Sequence, residues 1–232
     1  MGECRAVLGI DEAGRGPLVG PMVVAGIALP EELLYRLPEM GVRDSKQLTP
    51  ASRRRLAGEI LRRAIVAVIV KVPPRLIDSV NLNRLEEDTF AYIAARAREL
   101  LEARGCRLRA VYADAVGQGA RLRRILEEAA PGARVVAEPR ADARHPPVAA
   151  ASIVAKVERD AELERLRRLY GVRGSGYPTD PETLEWIREA YQRNPREPPP
   201  FIRGSWATLR RIAPGWYRPK GRAGRSLLDY IG

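Results

Sequence analysis

Asp11 and Glu12 stand side by side in "GIDEAGRGPLVGP", residues 9–21, behind an apolar run (Ala6, Val7, Leu8) that reads as a β-strand. A charged pair at the end of a strand is costly beside an apolar core unless cations or a metal offset it. Successive strand residues point to opposite faces, so both acids reach one site only if the chain turns or bulges there, and the glycines behind them permit a turn. The competing reading of the segment is a solvated acidic turn. Two more acids lie at strand ends: Asp114 in "RAVYADAVG", on the alternating face of Tyr112 and Ala110, and Asp142 in "EPRADARHPP", just after the next strand. Either alone reads as a turn or cap residue. Four carboxylates at sheet ends offer only oxygen ligands, which suit Mg²⁺ or Mn²⁺, and two such ions can drive phosphodiester cleavage without a histidine.

The same glycines raise a rival chemistry. A dinucleotide fingerprint has the form G-x-G-x-x-G and opens a helix. Here Gly14, Gly16 and Gly20 are spaced one residue too long, Pro17 and Pro21 interrupt them, and the β-rich "MVVAGIAL" follows. No Gly-Lys-Ser/Thr is present for a Walker-type loop. The carboxylates therefore carry the chemistry, and the glycines shape the backbone around them.

The elements that must position these acids alternate along the chain. Strands are expected at residues 5–11 and 20–28, joined by the glycine loop as an antiparallel pair. Thr49 as N-cap and Pro50 in the first turn open a helix over "ASRRRLAGEILRR", and "AIVAVIVKV" is a strand stopped by Pro73 and Pro74. A long helix over "NRLEEDTFAYIAARARELLEARG" ends at Gly105. Then "RLRAVYADA", "GARLRRILEEAA" and "ARVVAE" read strand, helix, strand, which argues for a parallel section of sheet. "PVAAASIVAKVERDAELERLRRLYG" is a long helix with a buried first half and a solvated second half. The domains expected are a catalytic body at 1–178, a helical C-terminal segment at 179–213 and a basic, mobile tail at 214–232.

With 232 residues and 45% hydrophobic content, the chain can bury one substantial core. Forty basic against twenty-nine acidic residues leave a net charge of +11, nearly all of the excess arginine, which points to a polyanionic partner, nucleic acid before others. Cys4 and Cys106 are the only cysteines and His145 the only histidine. From that count neither a disulfide framework nor a Cys/His zinc site is expected, and the cytoplasm is the default compartment. No segment reads as a signal peptide or a membrane span.

The combined motifs "GIDEAGRGPLVGPMVVA", "VRDSKQLTP", "VYADA", "RADARHPPVAAASIVAKVERD", "GSGYPTDP" and "RGSWATL" resemble archaeal-type ribonuclease HII over residues 5–213. The resemblance implies an α/β fold, a ribonuclease H-like mixed five-stranded sheet flanked by helices with a small helical C-terminal segment. It makes Asp11, Glu12, Asp114 and Asp142 the catalytic, metal-binding carboxylates. Asp160 in "VERD" is read as structural or supporting. Arg140 departs from the family's usual Lys, keeping the charge but not its point-like geometry.

The same resemblance gives Gly14, Arg15 and Gly16 a close backbone approach to the sugar-phosphate chain, and sets Tyr177 to read a ribose 2′-hydroxyl at an RNA-to-DNA junction. Without it, Tyr177 reads as a turn aromatic packed on Pro178. Ser45 and Lys46 precede a helix N-cap, a natural phosphate contact and equally an ordinary helix-entry turn. Lys156 becomes a phosphate contact by resemblance, where periodicity alone allows snorkelling.

The implied reaction is hydrolysis of RNA in RNA/DNA hybrids and nicking 5′ of a ribonucleotide embedded in duplex DNA, with two Mg²⁺ or Mn²⁺ ions, leaving 3′-hydroxyl and 5′-phosphate ends. A monomer is expected. In the C-terminal "GRSLLDYIG", Leu227, Tyr230 and Ile231 have the spacing of the anchors of a sliding-clamp-binding peptide, and also that of an amphipathic tail packing on the body. The alternative class is a non-catalytic nucleic-acid-binding protein, which explains the charge but gives no reason for acids at three strand ends.

Overall fold

The computed structural model describes residues 3–42, 48–116 and 119–220. Five strands, β1 (Cys4–Ala13), β2 (Met22–Pro30), β3 (Val66–Val72), β4 (Cys106–Asp114) and β5 (Arg134–Glu138), form one sheet in the order β3-β2-β1-β4-β5. β1 therefore lies at the centre. It pairs antiparallel with β2 and parallel with β4, and β4 pairs parallel with β5, so the sheet is mixed as the sequence pattern implied. The helices are α1 (Pro50–Arg63), α2 (Pro74–Ser79), α3 (Leu82–Glu102), α4 (Ala120–Ala129), α5 (Ala141–Arg144), α6 (Pro146–Tyr170), α7 (Pro181–Arg193) and α8 (Leu209–Ile212). The expected long elements are all present. The short α2 and α5 were not anticipated, because helices of four to six residues are too brief to show periodicity.

The chain packs as two compact units. The first comprises residues 1–13, 23–70 and 86–157 and holds most of the sheet. On one face of β2, Ala25, Ile27 and Leu29 bury against Leu56, Ala57 and Ile60 of α1 and against the alanine-rich start of α6. Gly26, on the opposite face, lies against Ile93 of α3, where an added Cβ would come within 2.2 Å of it. Helices thus cover both faces. Gly9 decides how closely α6 approaches: a Cβ there would sit 2.0 Å from the Pro147 carbonyl oxygen, so only glycine lets the helix start lie directly on β1. α1 begins as the sequence indicated, with the Thr49 side chain accepting from Ser52 N at 3.2 Å.

One expectation fails here. Cys4 and Cys106 form a disulfide, with Cα atoms 4.6 Å apart. They are direct partners at the first rung of the β1–β4 ladder. Two cysteines 102 residues apart carry no spacing signal, and only the pairing of the strands makes them neighbours.

The second unit comprises residues 14–22, 71–85 and 158–232. Its core gathers Leu18 and Val19 of the glycine loop, Leu163 and Leu166 of α6, Trp186 and Ile187 of α7, Phe201, Ile202 and the fully buried Trp216. The Trp216 indole N–H donates to the Asn194 carbonyl at 2.9 Å, which satisfies its polar end.

Candidate active site

The carboxylates of the first unit come together at the C-terminal ends of the central strands. The β1–β4 ladder is irregular between Ala6 and Val7: Ala6 pairs with Leu108 but Val7 with Ala110, so Arg109 is an extra residue in β4. From there the ladder runs to Ile10↔Ala113, and the next residues on the two strands are Asp11 and Asp114. The bulge shifts β4 by one residue, and a one-residue shift exchanges the faces. Without it Asp114 would point away from the face that Asp11 uses.

Asp11 is buried at 4% exposure. Its Oδ1 accepts from Glu12 N at 2.8 Å, and Ser152 of α6 hydrogen-bonds its carboxylate. Burial first, and the negative charges of Glu12 and Asp114 with it, push the Asp11 carboxyl well above the ordinary value. Ser152 in turn accepts from Lys156 Nζ at 2.9 Å, so the lysine reaches Asp11 through a hydroxyl. β1 does not turn until Gly14, so Glu12 follows Asp11 in extended backbone, and its charge acts on Asp11 from the next position. The turn or bulge expected at the two acids is absent from β1; the irregularity lies in β4, at Arg109.

Asp114 is raised too, by burial and by the charge of Asp142, while backbone N–H groups of Ala141, Arg140 and Ala115 pull it the other way. The Ala141 donor is 3.0 Å from Oδ1. The Arg140 and Ala141 donors come from the start of α5, whose first turn carries Asp142, and the Ala115 donor follows directly on β4. Arg140 precedes it at φ 57°, the one non-glycine residue with positive φ among the described residues. A left-handed arginine costs on the order of 1 kcal/mol, and here it turns the backbone toward Asp114. The contact at position 140 is thus made by backbone, which Lys or Arg would supply equally. His145 Nε2 lies 2.8 Å from Glu138 Oε1 and its ring 4.8 Å from Tyr112, tying the end of α5 to β5 and β4.

The four acids meet pairwise: Asp11 with Glu12 and Asp114, Asp114 with Asp142. Among the described residues no group of three or more is already drawn to metal-ligand spacing. The donors serving Asp11 and Asp114 are a hydroxyl and peptide N–H groups, all neutral. Mutually repelling oxygens with neutral donors are a set that hard divalent cations fit.

The predicted substrate residues Gly14, Arg15, Gly16 and Tyr177 belong to the second unit and are brought together there. Gly14 has φ +83°, and a Cβ on it would meet the Pro21 oxygen at 3.0 Å and Arg159 at 3.1 Å. The Tyr177 ring lies against Gly16, within 3.5 Å of where a Cβ would be, and the Arg159 guanidinium sits 5.3 Å from the ring centroid. Leu18 and Val19 donate to the Gly176 carbonyl at 2.7 and 3.3 Å, which fixes the loop to the Tyr177 turn. Arg15 hydrogen-bonds Asn83. Asp160 is largely exposed and pairs with Arg159 at 3.5 Å, consistent with a structural role. Ser45, Lys46, Leu227, Tyr230 and Ile231 lie outside the described residues.

Asp180 organises the Tyr177 turn. As N-cap of α7 it accepts from Ser175 N, Ser175 Oγ and Glu182 N, and its own N–H donates to the Tyr177 carbonyl. The Ser175 hydroxyl and N–H hold its carboxyl down to about 2. A depressed carboxylate stabilises the fold above its ordinary value of 3.8, and that stability is lost as pH falls toward 2. Asp180→Ala is expected to cost roughly 1–2 kcal/mol and to flatten the acid limb of stability below about pH 4, read by urea titration at several pH values.

Sequence reasoning missed Ser152 and Arg203. Ser152 was findable as the one hydroxyl in the apolar half of α6, one turn before Lys156. Arg203 gave no signal beyond its place in "RGSW".

The mixed sheet, with acids at the ends of its central strands and helices on both faces, is that of a ribonuclease H-like nuclease. Residues 8–209 match the family model described as Ribonuclease HII. Ribonuclease HII of Hyperthermus butylicus is 57% identical over 99% of this chain and 96% of its own length. The crystal structure of the ribonuclease H2 from Pyrococcus horikoshii superposes with a TM-score of 0.81 at 37% identity, covering 91% of this chain and 98% of that one. A ribonuclease HII solved in a PCNA complex from Archaeoglobus fulgidus gives 0.75 at 39% identity, over 88% of this chain and 94% of that one. The chain belongs to the ribonuclease HII family, whose members are hydrolases acting on RNA/DNA hybrids.

Proposed function

We propose that this protein nicks duplex DNA on the 5′ side of embedded ribonucleotides, as well as cutting the RNA strand of hybrids, and so removes misincorporated ribonucleotides and RNA primers. The observation that carries the reading is the level placement of Asp11 and Asp114 on adjacent strands, each raised first by burial and then by like charge, and served by neutral donors. Asp11, Glu12, Asp114 and Asp142 would hold two Mg²⁺ or Mn²⁺ ions. The chemistry supplied by ions held there would be a lowered pKa for the attacking water and stabilisation of the departing 3′-oxygen. Ser152 fixes the Asp11 carboxylate, and the peptide donors of Arg140 and Ala141 fix that of Asp114. The products carry 3′-hydroxyl and 5′-phosphate ends. Gly14, Arg15 and Gly16 bring backbone against the sugar-phosphate chain with Tyr177 against the 2′-hydroxyl, while Ser45, Lys46 and Lys156 contact phosphates.

Cleavage of a labelled DNA duplex containing one ribonucleotide tests this, with Mg²⁺, with Mn²⁺ and with chelator. A single cut 5′ of the ribonucleotide that chelation abolishes is expected, and cutting that persists in chelator sinks the metal assignment. Tyr177→Phe should lower the preference for the ribonucleotide about 2- to 13-fold, the value of one lost hydrogen bond. An unchanged preference removes Tyr177 from sugar recognition.

The complex containing the Archaeoglobus relative supports a sliding clamp as partner. Leu227, Tyr230 and Ile231 are the proposed anchors, and a clamp pull-down with and without residues 222–232 decides it. No helix among the described residues is long and apolar enough to cross a membrane. The proposal includes a monomer working in the cytoplasm.

A further inference from the structure

The turn that carries Arg203 and Trp206 has no part in the reading above, yet it holds the glycine loop from behind. Arg203 is fully buried. Its Nε donates to the Gly20 carbonyl at 2.9 Å, Nη1 to Arg15 at 2.9 Å and Nη2 to Gly14 at 2.6 Å. The Trp206 indole N–H donates to the Gly16 carbonyl at 2.9 Å, and its ring lies 5.1 Å from the Arg203 guanidinium. Three successive carbonyls, those of residues 14 to 16, therefore engage this one turn. In a trans peptide the C=O and the following N–H point in opposite directions. Fixing the Gly14 and Arg15 carbonyls on Arg203 turns the N–H groups of Arg15 and Gly16 to the other side.

The charge points the same way. All three Arg203 contacts are neutral oxygens, and nearby Asp78 spends its carboxylate on Gly204 N, Ser205 N and Ser205 Oγ at 2.7 to 3.0 Å. Burial and the neighbouring Arg159 push the Arg203 guanidinium down to about 9, with Asp78 opposing. A buried cation beneath outward peptide donors favours an anion at the loop.

We propose that Arg203 and Trp206 are positioning residues that aim the Arg15 and Gly16 peptide donors at a phosphodiester oxygen adjoining the ribonucleotide, and thereby set discrimination between ribose and deoxyribose. The proposal rests on the sugar-reading role of the glycine loop. Lysine cannot replace the arginine: it has a single donor point for three carbonyls, and burial acts on a group that ionises less strongly to begin with.

The test uses the full chain with Arg203→Lys, Arg203→Gln, Trp206→Phe and, as reporters of the loop itself, Gly16→Ala and Tyr177→Phe. Binding of a one-ribonucleotide duplex and its all-DNA counterpart is measured by anisotropy in chelator, alongside kcat and KM on the former. Arg203→Lys is expected to lower kcat/KM about 100-fold, mainly through KM, and to collapse the ribose/deoxyribose binding ratio. Trp206→Phe keeps an aromatic ring, smaller than the indole, and loses the N–H donor, for about a 5- to 10-fold effect of the same kind. Folding is followed by circular dichroism, and if the Arg203 variants fail to fold, Trp206→Phe decides alone. Folded variants that keep the wild-type binding ratio overturn the proposal when Gly16→Ala and Tyr177→Phe lose it. If those reporters also keep the ratio, the loop reading itself falls, and the proposal with it.

Discussion

Asp11→Asn is expected to reduce turnover on the order of 10³-fold or more while making the protein harder to unfold at neutral pH. The two effects share one cause. Asp11 is buried among like charges, so its ionised form is disfavoured and its native pKa stands above the ordinary 3.8. A carboxyl raised in the native state binds its proton more tightly folded than unfolded, so stability falls as pH rises from 3.8 through the native value. Above that value the wild type carries the full cost and the amide variant does not. The stability advantage of Asp11→Asn should therefore be constant at high pH and disappear on acidification. Melting curves from about pH 4 to 8 check this, and the sign reverses if Asp11 is instead held low by a cation. Mg²⁺ or Mn²⁺ should raise the melting temperature of the wild type and raise that of the variant much less, because only the former offers the full ligand charge. That readout does not depend on activity. Duplex binding in chelator should survive the substitution, and an equal loss of binding and turnover would count against a mainly metal-binding role.

Removing the Cys4–Cys106 bridge is the change with the largest expected effect on stability. It closes a segment of 102 residues, and the entropy of closing a loop of that size in the unfolded chain corresponds to about 4–5 kcal/mol. For a chain of this length that is a drop in melting temperature of roughly 10–15 °C. Calorimetry of the oxidised protein, the reduced protein and the Cys4→Ser/Cys106→Ser double variant measures it. The bridge lies at the first rung of the β1–β4 ladder and Asp11 and Asp114 just beyond the last, so kcat well below the melting range should be unaffected. Free thiols in the purified protein, or coincident melting curves, would refute the assignment.

How far the sequence reaches is visible at particular residues. Thr49 and Pro50 announce the start of α1, and Pro73 and Pro74 the end of β3, since capping and proline geometry are local physics. The small apolar start of α6 reads correctly as buried because periodicity reports burial. Asp11 and Asp114 are recognisable as strand-end acids from the same patterns, whereas Asp142, read as following the next strand, sits in the first turn of the short α5. Arg203 is not: an arginine between an isoleucine and a glycine near the C-terminus looks solvated, and nothing in its neighbourhood reveals that carbonyls from residues 14 to 20 surround it. Ser152 is marked only as the one hydroxyl in the apolar half of α6, and it gains meaning from the carboxylate lying opposite.

The sequence by itself determined the elements, the mixed sheet, the acids at its strand ends and a polyanionic partner, because each follows from composition or from periods of two and 3.6 residues. The tertiary structure alone decided three matters. The extra residue Arg109 puts Asp114 on the face of Asp11, strand pairing joins Cys4 to Cys106, and Arg203 reaches the carbonyls of a loop nearly 190 residues away in sequence. The reason is common to all three: register and long-range contact are set by how elements dock, and a shift of one residue, which leaves every local preference satisfied, reverses which side chains meet.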